Sequence, residues 1–187
     1  MAGDLAELLD QPSDVLGHSM GGKAAMVLAL SHPHLIRRLI VADIAPVAYG
    51  HTQSHLIEAM RGVDLATVET RKDADTQLKP QVPENGVRAF LLQSLDVKEK
   101  RWRLNHDVLE AEMDRIIGFP AIDTAPFDGP TLFLSGADSD YVLPAHRDRI
   151  KALFPKARFA RIPSAGHWLH AENPRAFEAA VRAFLDA

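Results

Sequence analysis

Gly17-His18-Ser19-Met20-Gly21-Gly22 places a serine at the centre of G-x-S-x-G. That pattern is the nucleophile elbow of serine hydrolases, a strained turn from strand to helix. A serine hydroxyl is a poor nucleophile at neutral pH and needs both exposure and a neighbouring base. The elbow supplies the exposure, and Gly17 and Gly21 are expected to remove side chains that would collide where strand and helix converge. The amide of Met20, at the start of the helix, is then aimed at a developing oxyanion. Only 16 residues precede Gly17, although an elbow normally follows several strands.

A second reading competes for the same residues. Gly17 to Ala24 is one residue away from the phosphate loop G-x-x-x-x-G-K-[ST], and Leu39–Asp43 resembles its Mg²⁺-organising strand. Ala24 stands where that loop needs a hydroxyl to hold the metal, which argues against it.

Around the elbow the chain alternates strand and helix. Asp14–Gly17 reads as a strand, Met20–Leu30 as a helix and Arg38–Asp43 as a strand buried on both faces. Thr131–Ser135 and Arg158–Ile162 continue the strand pattern. A helix from Pro144 to Phe154 lies between them, and Pro174–Leu185 closes the chain with Phe177, Val181, Phe184 and Leu185 on one face. This is the signature of an α/β fold with a parallel sheet and flanking helices. Residues 1–49 and 127–187 are expected to form its core. Residues 50–126 lose the strand pattern and read as polar helices at Gln53–Arg61, Thr67–Lys79, Val87–Leu95 and Asp107–Ile117, a helical lid or cap insertion.

Composition narrows the function. The chain has 187 residues, 47% of them hydrophobic and 25% charged, as in an ordinary soluble globule of one domain. A net charge of −4 offers no basic footprint for nucleic acid. No apolar run is long enough to span a bilayer. With no cysteine there is neither a disulfide framework nor a thiolate metal site, and the expected compartment is a reducing cytoplasm. No cluster of His, Asp and Glu has the spacing of a metal site, and no cofactor is implied.

In α/β-hydrolases the triad runs Ser, then Asp or Glu, then His. Among nine histidines, His167 in Ser164-Ala165-Gly166-His167-Trp168 lies between the last strand and the last helix, where the base belongs. His170 reads as a helix-side or lid-contact residue. Two addresses remain open for the acid. Asp43 ends the strand after the elbow helix, at the sheet edge where ligands bind. Asp138 and Asp140 follow the next strand, but they also suit an ordinary turn. Arg101 and Arg103 could meet an anionic substrate, although a solvated helix face explains them equally well. Trp102 and Trp168 read as packing residues.

The chain resembles the YbfF-type esterases of the α/β-hydrolase superfamily. The likeness is spread over GHSMGGK (17–23), ADIAPVAY (42–49), GVRAFLLQSL (86–95), WRLN (102–105), LFLSG…YV (132–142) and FPKA…AGHWLHAENP (154–174). It implies Ser19 as nucleophile, His167 as base and Asp43 as acid, because Ser139 occupies the usual acid position in G-x-x-D-x-x-V; Asp138 is the runner-up. It also implies a small-molecule ester or thioester substrate cleaved through an acyl-enzyme. Family members carry upstream strands and a His-Gly segment that supplies a second oxyanion N–H. At roughly 30 residues per strand–helix unit, about 60–80 residues of that pattern are expected to be lacking. From this follow expectations of weak hydrolysis and self-association through an exposed sheet edge. The alternative is a non-catalytic truncated fragment or partner-dependent binding module.

Overall fold

The computed structural model describes residues 1–50 and 52–187; His51, within the expected insertion, lies outside the described residues. In chain order the elements are α1 (Ala2–Glu7), β1 (Ser13–His18), α2 (Met20–Ser31), β2 (Ile36–Ala42), α3 (Ser54–Arg61), α4 (Arg71–Leu78), α5 (Asn85–Leu91), β3 (Leu95–Asp96), β4 (Arg101–Trp102), α6 (His106–Ala111) and α7 (Met113–Ile117). They continue with β5 (Thr131–Gly136), α8 (Arg147–Leu153), β6 (Ala157–Ile162), α9 (Leu169–Glu172) and α10 (Pro174–Leu185). The chain divides into two compact units, Met1–Ala48 with Phe119–Ala187, and Tyr49–Gly118.

The first unit is built on a four-stranded sheet in the order β1-β2-β5-β6, with every neighbouring pair parallel. Parallel neighbours need crossovers, and helices supply them for β1–β2 and β5–β6. The central strands are apolar through Leu39–Ala42 and Leu132–Leu134, where both faces are covered. Ile40 and Ala42 of β2 join Leu132 and Leu134 of β5 on one face, packed with Ile162, Leu169 and Phe184. Phe177, Val181 and Leu185 of α10 close over this layer, the stripe expected from the spacing of that helix. Leu39, Val41 and Phe133 alternate to the opposite face and are equally buried. There Phe133 meets Phe154 edge-on at 5.8 Å and Phe159 at 5.8 Å.

The turn from β1 into α2 is closely packed. A Cβ on Gly17 would lie 2.3 Å from the Gly21 carbonyl oxygen, and one on Gly22 would lie 2.6 Å from Ile44 Cγ2. A Cβ on Gly21 would meet nothing within 4 Å. Gly21 therefore matters through its backbone, which Gly17 approaches, and Gly22 is the second position closed to a side chain. This corrects the expectation that Gly17 and Gly21 both exclude side chains on steric grounds.

The second unit has its own core. Met60, Val68, Leu78, Val82, Leu91 and Leu95 are buried together, with Trp102 packed against them. Trp102 Nε1–H donates to the Met60 carbonyl at 2.9 Å, so the indole is a packing residue with its polar end satisfied. α4 opens with a reciprocal cap in which the Thr70 hydroxyl accepts from the Asp73 amide and the Asp73 carboxylate accepts from that of Thr70. Arg88 is buried and saturated by Asp75, the carbonyls of Val82 and Pro83, and Asn85. Arg103 pairs with Asp96, and Arg101 is exposed. The unit is not free of strands: β3 and β4 pair antiparallel, Leu95 opposite Trp102, a two-residue ribbon too short to register as periodicity. The helix expected over Asp107–Ile117 is broken at Glu112 into α6 and α7.

Among the described residues of this unit, His106 is the exception to polar satisfaction. Its Nε2 is buried without a hydrogen-bond partner. Burial first, and then the Arg61 guanidinium, lower its pKa from 6.5, while Asp107 opposes them. The folded state thus favours neutral imidazole, and the unfolded chain binds the extra proton as pH falls through 6.5. Stability should drop in that window, and the drop in Tm from neutral pH to about pH 5.5 should be smaller in His106→Leu. In the first unit, Gly17→Ala should lower stability by about 1–3 kcal/mol in urea unfolding. Gly21→Ala should instead be neutral or stabilising by about 0.5 kcal/mol, since it adds a better helix former in open space.

Candidate active site

Parallel strands send all their carboxyl ends to one edge of the sheet, and the loops leaving those ends converge. Ser19 follows β1, Asp43 follows β2, Ser139 lies just beyond β5, and His167 lies beyond β6. Ser19 and Asp43 both have positive φ, 53° and 51°, and so does Ser164 at 51° in the loop that carries His167. Such backbone costs on the order of 1–3 kcal/mol per residue and persists where surrounding contacts over-determine it. Those contacts are visible. The Ser19 amide donates to the Ala42 carbonyl at 3.0 Å, and the Asp43 amide donates to the Leu134 carbonyl at 2.8 Å.

These loops join three side chains in one hydrogen-bonded line. His167 Nε2 lies 2.9 Å from Ser19 Oγ, and His167 Nδ1 lies 2.8 Å from Asp43 Oδ2. A carboxylate only accepts, so Nδ1 carries the proton and donates to Asp43. Nε2 is then the acceptor for the Ser19 hydroxyl. Met20 is the first residue of α2, where a helix amide has no intrahelical acceptor.

Asp43 is completely buried. A buried carboxylate is costly unless its lone pairs are used. Here Oδ1 accepts from the Gly136 amide at 3.0 Å, while Oδ2 accepts from both the Ser139 hydroxyl and His167. Ser139 was legible in the sequence only as the occupant of the usual acid position. In space it donates to the carboxylate that comes from β2. Asp138, the runner-up acid, is exposed and is not the partner of His167; its amide donates to the Ala165 carbonyl at 2.9 Å and so fastens the His167 loop. Gly136 makes room for that loop, since a Cβ there would lie 2.2 Å from the Gly166 carbonyl oxygen.

Aromatic rings surround the imidazole. Tyr141 stacks on His167 with centroids 4.0 Å apart and planes 22° apart. His18 lies 4.8 Å from His167 and donates through Nε2–H to the His167 carbonyl at 2.8 Å. His170, in α9, is edge-on to His18 at 4.7 Å and to Phe177 at 6.1 Å, so it packs within this unit. Burial, followed by the neighbouring His167 and His170 rings, lowers the pKa of His18 and keeps it neutral, although its bond to the His167 carbonyl and the Asp43 charge oppose the shift. Burial also lowers Lys23, a buried residue of α2, to about 8. No group of three or more His, Cys, Asp or Glu side chains could hold a metal ion among the described residues. No described helix is long and apolar enough to cross a membrane.

Comparison with known proteins agrees with this architecture. Residues 5–174 match the model of the alpha/beta hydrolase fold family. The chain is 38% identical to esterase YbfF of Escherichia coli over 192 residues, covering 100% of this chain and 74% of that protein. It is 45% identical to the mouse protein named sn-1-specific diacylglycerol lipase ABHD11 over 199 residues, covering 99% of this chain. The chain spans 64% of the length of that mouse relative and 62% of its zebrafish counterpart. A solved marine microorganism esterase superposes with a TM-score of 0.92 at 37% identity, covering 98% of this chain and 75% of its own. The protein is a member of the α/β-hydrolase-fold family.

Proposed function

We propose that this chain is a serine hydrolase that cleaves small-molecule carboxylic esters or thioesters through an acyl-enzyme. The observation that carries this reading is the unbroken line from Ser19 Oγ through His167 to Asp43. Ser19 Oγ attacks the acyl carbonyl while its proton passes to His167 Nε2. The carbonyl electrons move to oxygen, where the Met20 N–H stabilises the charge. Collapse of the tetrahedral adduct expels the alcohol or thiol, which takes the proton from Nε2. Water repeats the sequence on the acyl-serine and releases the acid. Asp43 holds the imidazole in its Nδ1–H form, and Ser139 with the Gly136 amide holds Asp43. The chemistry asks for no cofactor. The Tyr49–Gly118 unit is assigned the role of lid, and the cysteine-free composition suits a cytoplasmic enzyme.

A second reading rests on the sheet edge. β1 is an outer strand, with Leu16 44% exposed on it. An unpaired edge beside apolar side chains is a template for another strand. On this view the chain self-associates, or serves as a non-catalytic, partner-dependent module.

A fluorophosphonate probe and light scattering together separate the two. The esterase reading expects labelling of soluble protein at Ser19, lost in Ser19→Ala; a folded oligomer that takes no label supports the second. Asp43→Asn should reduce the labelling rate by about 10⁴, as expected when the imidazole is left in the wrong tautomer. Asp138→Asn should leave it unchanged, and the reverse pattern would move the acid to Asp138.

A further inference from the structure

The imidazole of His167 has a neighbour that the proton relay does not use. Tyr141 lies flat on it, 4.0 Å between centroids and 22° between planes. We propose that Tyr141 is a positioning residue for His167, its ring face fixing the imidazole and stabilising the imidazolium formed when Ser19 gives up its proton. This inference rests on the esterase reading of the same site.

Three observations support it. First, an aromatic face carries negative potential and attracts a cation placed over it. The charge that arises in the reaction lies on the ring that Tyr141 covers. Second, the stack is tied to the acid. The Tyr141 amide donates to Ser139 Oγ at 3.3 Å, and that same hydroxyl donates to Asp43. The residue that holds the carboxylate against Nδ1 thus also holds the backbone of the ring that covers the imidazole. Third, Tyr141 acts here as a neutral ring. Burial, then Asp140 and Asp43, raise the pKa of its phenol. His18 adds support at the backbone, through its bond to the His167 carbonyl. Being held neutral by burial, it adds no positive charge to compete with the imidazolium.

The test follows labelling of the full chain by a fluorophosphonate. In this step Ser19 Oγ bonds to phosphorus, fluoride leaves, and the serine proton goes to His167 Nε2. Saturation curves give a maximal rate and a half-saturating concentration for the parent, Tyr141→Phe, Tyr141→Leu and Tyr141→Gln. All are compared below their melting transitions, and Gln, which suits a half-buried position, serves if Leu unfolds. Loss of the π face should lower the maximal rate of the Leu and Gln variants by roughly 3- to 10-fold with the half-saturating concentration unchanged. Tyr141→Phe, which keeps the face, should stay within about twofold of the parent. The proposal is overturned if the folded Leu or Gln variant reacts as fast as the parent. It is equally overturned if Phe is as slow as they are, or if the whole effect lies in the half-saturating concentration. A parent chain that takes no label at Ser19 removes the esterase reading, and this inference with it; the other three outcomes leave that reading standing.

Discussion

A buried carboxylate at the end of β2 organises the rest of this site. Asp43 has no exposed surface, so its charge must be met by hydrogen bonds from its surroundings. Three donors meet it, the Gly136 amide, the Ser139 hydroxyl and His167 Nδ1–H, and they come from the ends of two further strands. Bringing them to one carboxylate fixes how the β5 and β6 loops leave the sheet. The positive φ of Asp43 and the close pass of Gly136 beside the Gly166 carbonyl are the backbone cost of that convergence. A residue that starts as the end of a hydrophobic strand therefore decides where the imidazole sits.

The elbow depends on the same sheet from the other side. Ser19 is held in its left-handed conformation by its amide bond to Ala42, one residue before Asp43. Ser19 and Asp43 are thus registered to each other through Ala42 and the residue after it, while His167 arrives from beyond β6 and bridges them. This arrangement tolerates little adjustment, since a side chain at Gly17 would strike the Gly21 backbone. Each component stands just beyond the carboxyl end of a strand of the one parallel sheet.

Much of this is legible in the sequence. The Arg38–Asp43 run announces a strand covered on both faces, Thr131–Ser135 announces another strand, and the G-x-S-x-G turn announces the strand-to-helix elbow, because these signals are local. The amphipathic stripe of α10 was equally plain. Other features were hidden for definable reasons. β3 and β4 are two residues each, shorter than any alternation can reveal. The break at Glu112 interrupts a stretch whose polarity continues across it. Gly22 looked like part of a phosphate loop, whereas its place is taken by contact with Ile44, a residue 22 positions on.

By itself the sequence determined the α/β class, the elbow serine and a histidine placed after the last strand, since each is written in neighbouring residues or in chain order. It also narrowed the acid to Asp43, Asp138 or Asp140 without deciding among them on local grounds. Only the tertiary structure brought Asp43 to 2.8 Å from His167 and turned Asp138 outward. It alone put Ser139 on the carboxylate and laid Tyr141 against the imidazole. The reason is physical. A parallel sheet brings the ends of strands far apart in sequence to one edge, and hydrogen bonds between residues 93 to 124 positions apart leave no trace in any local pattern.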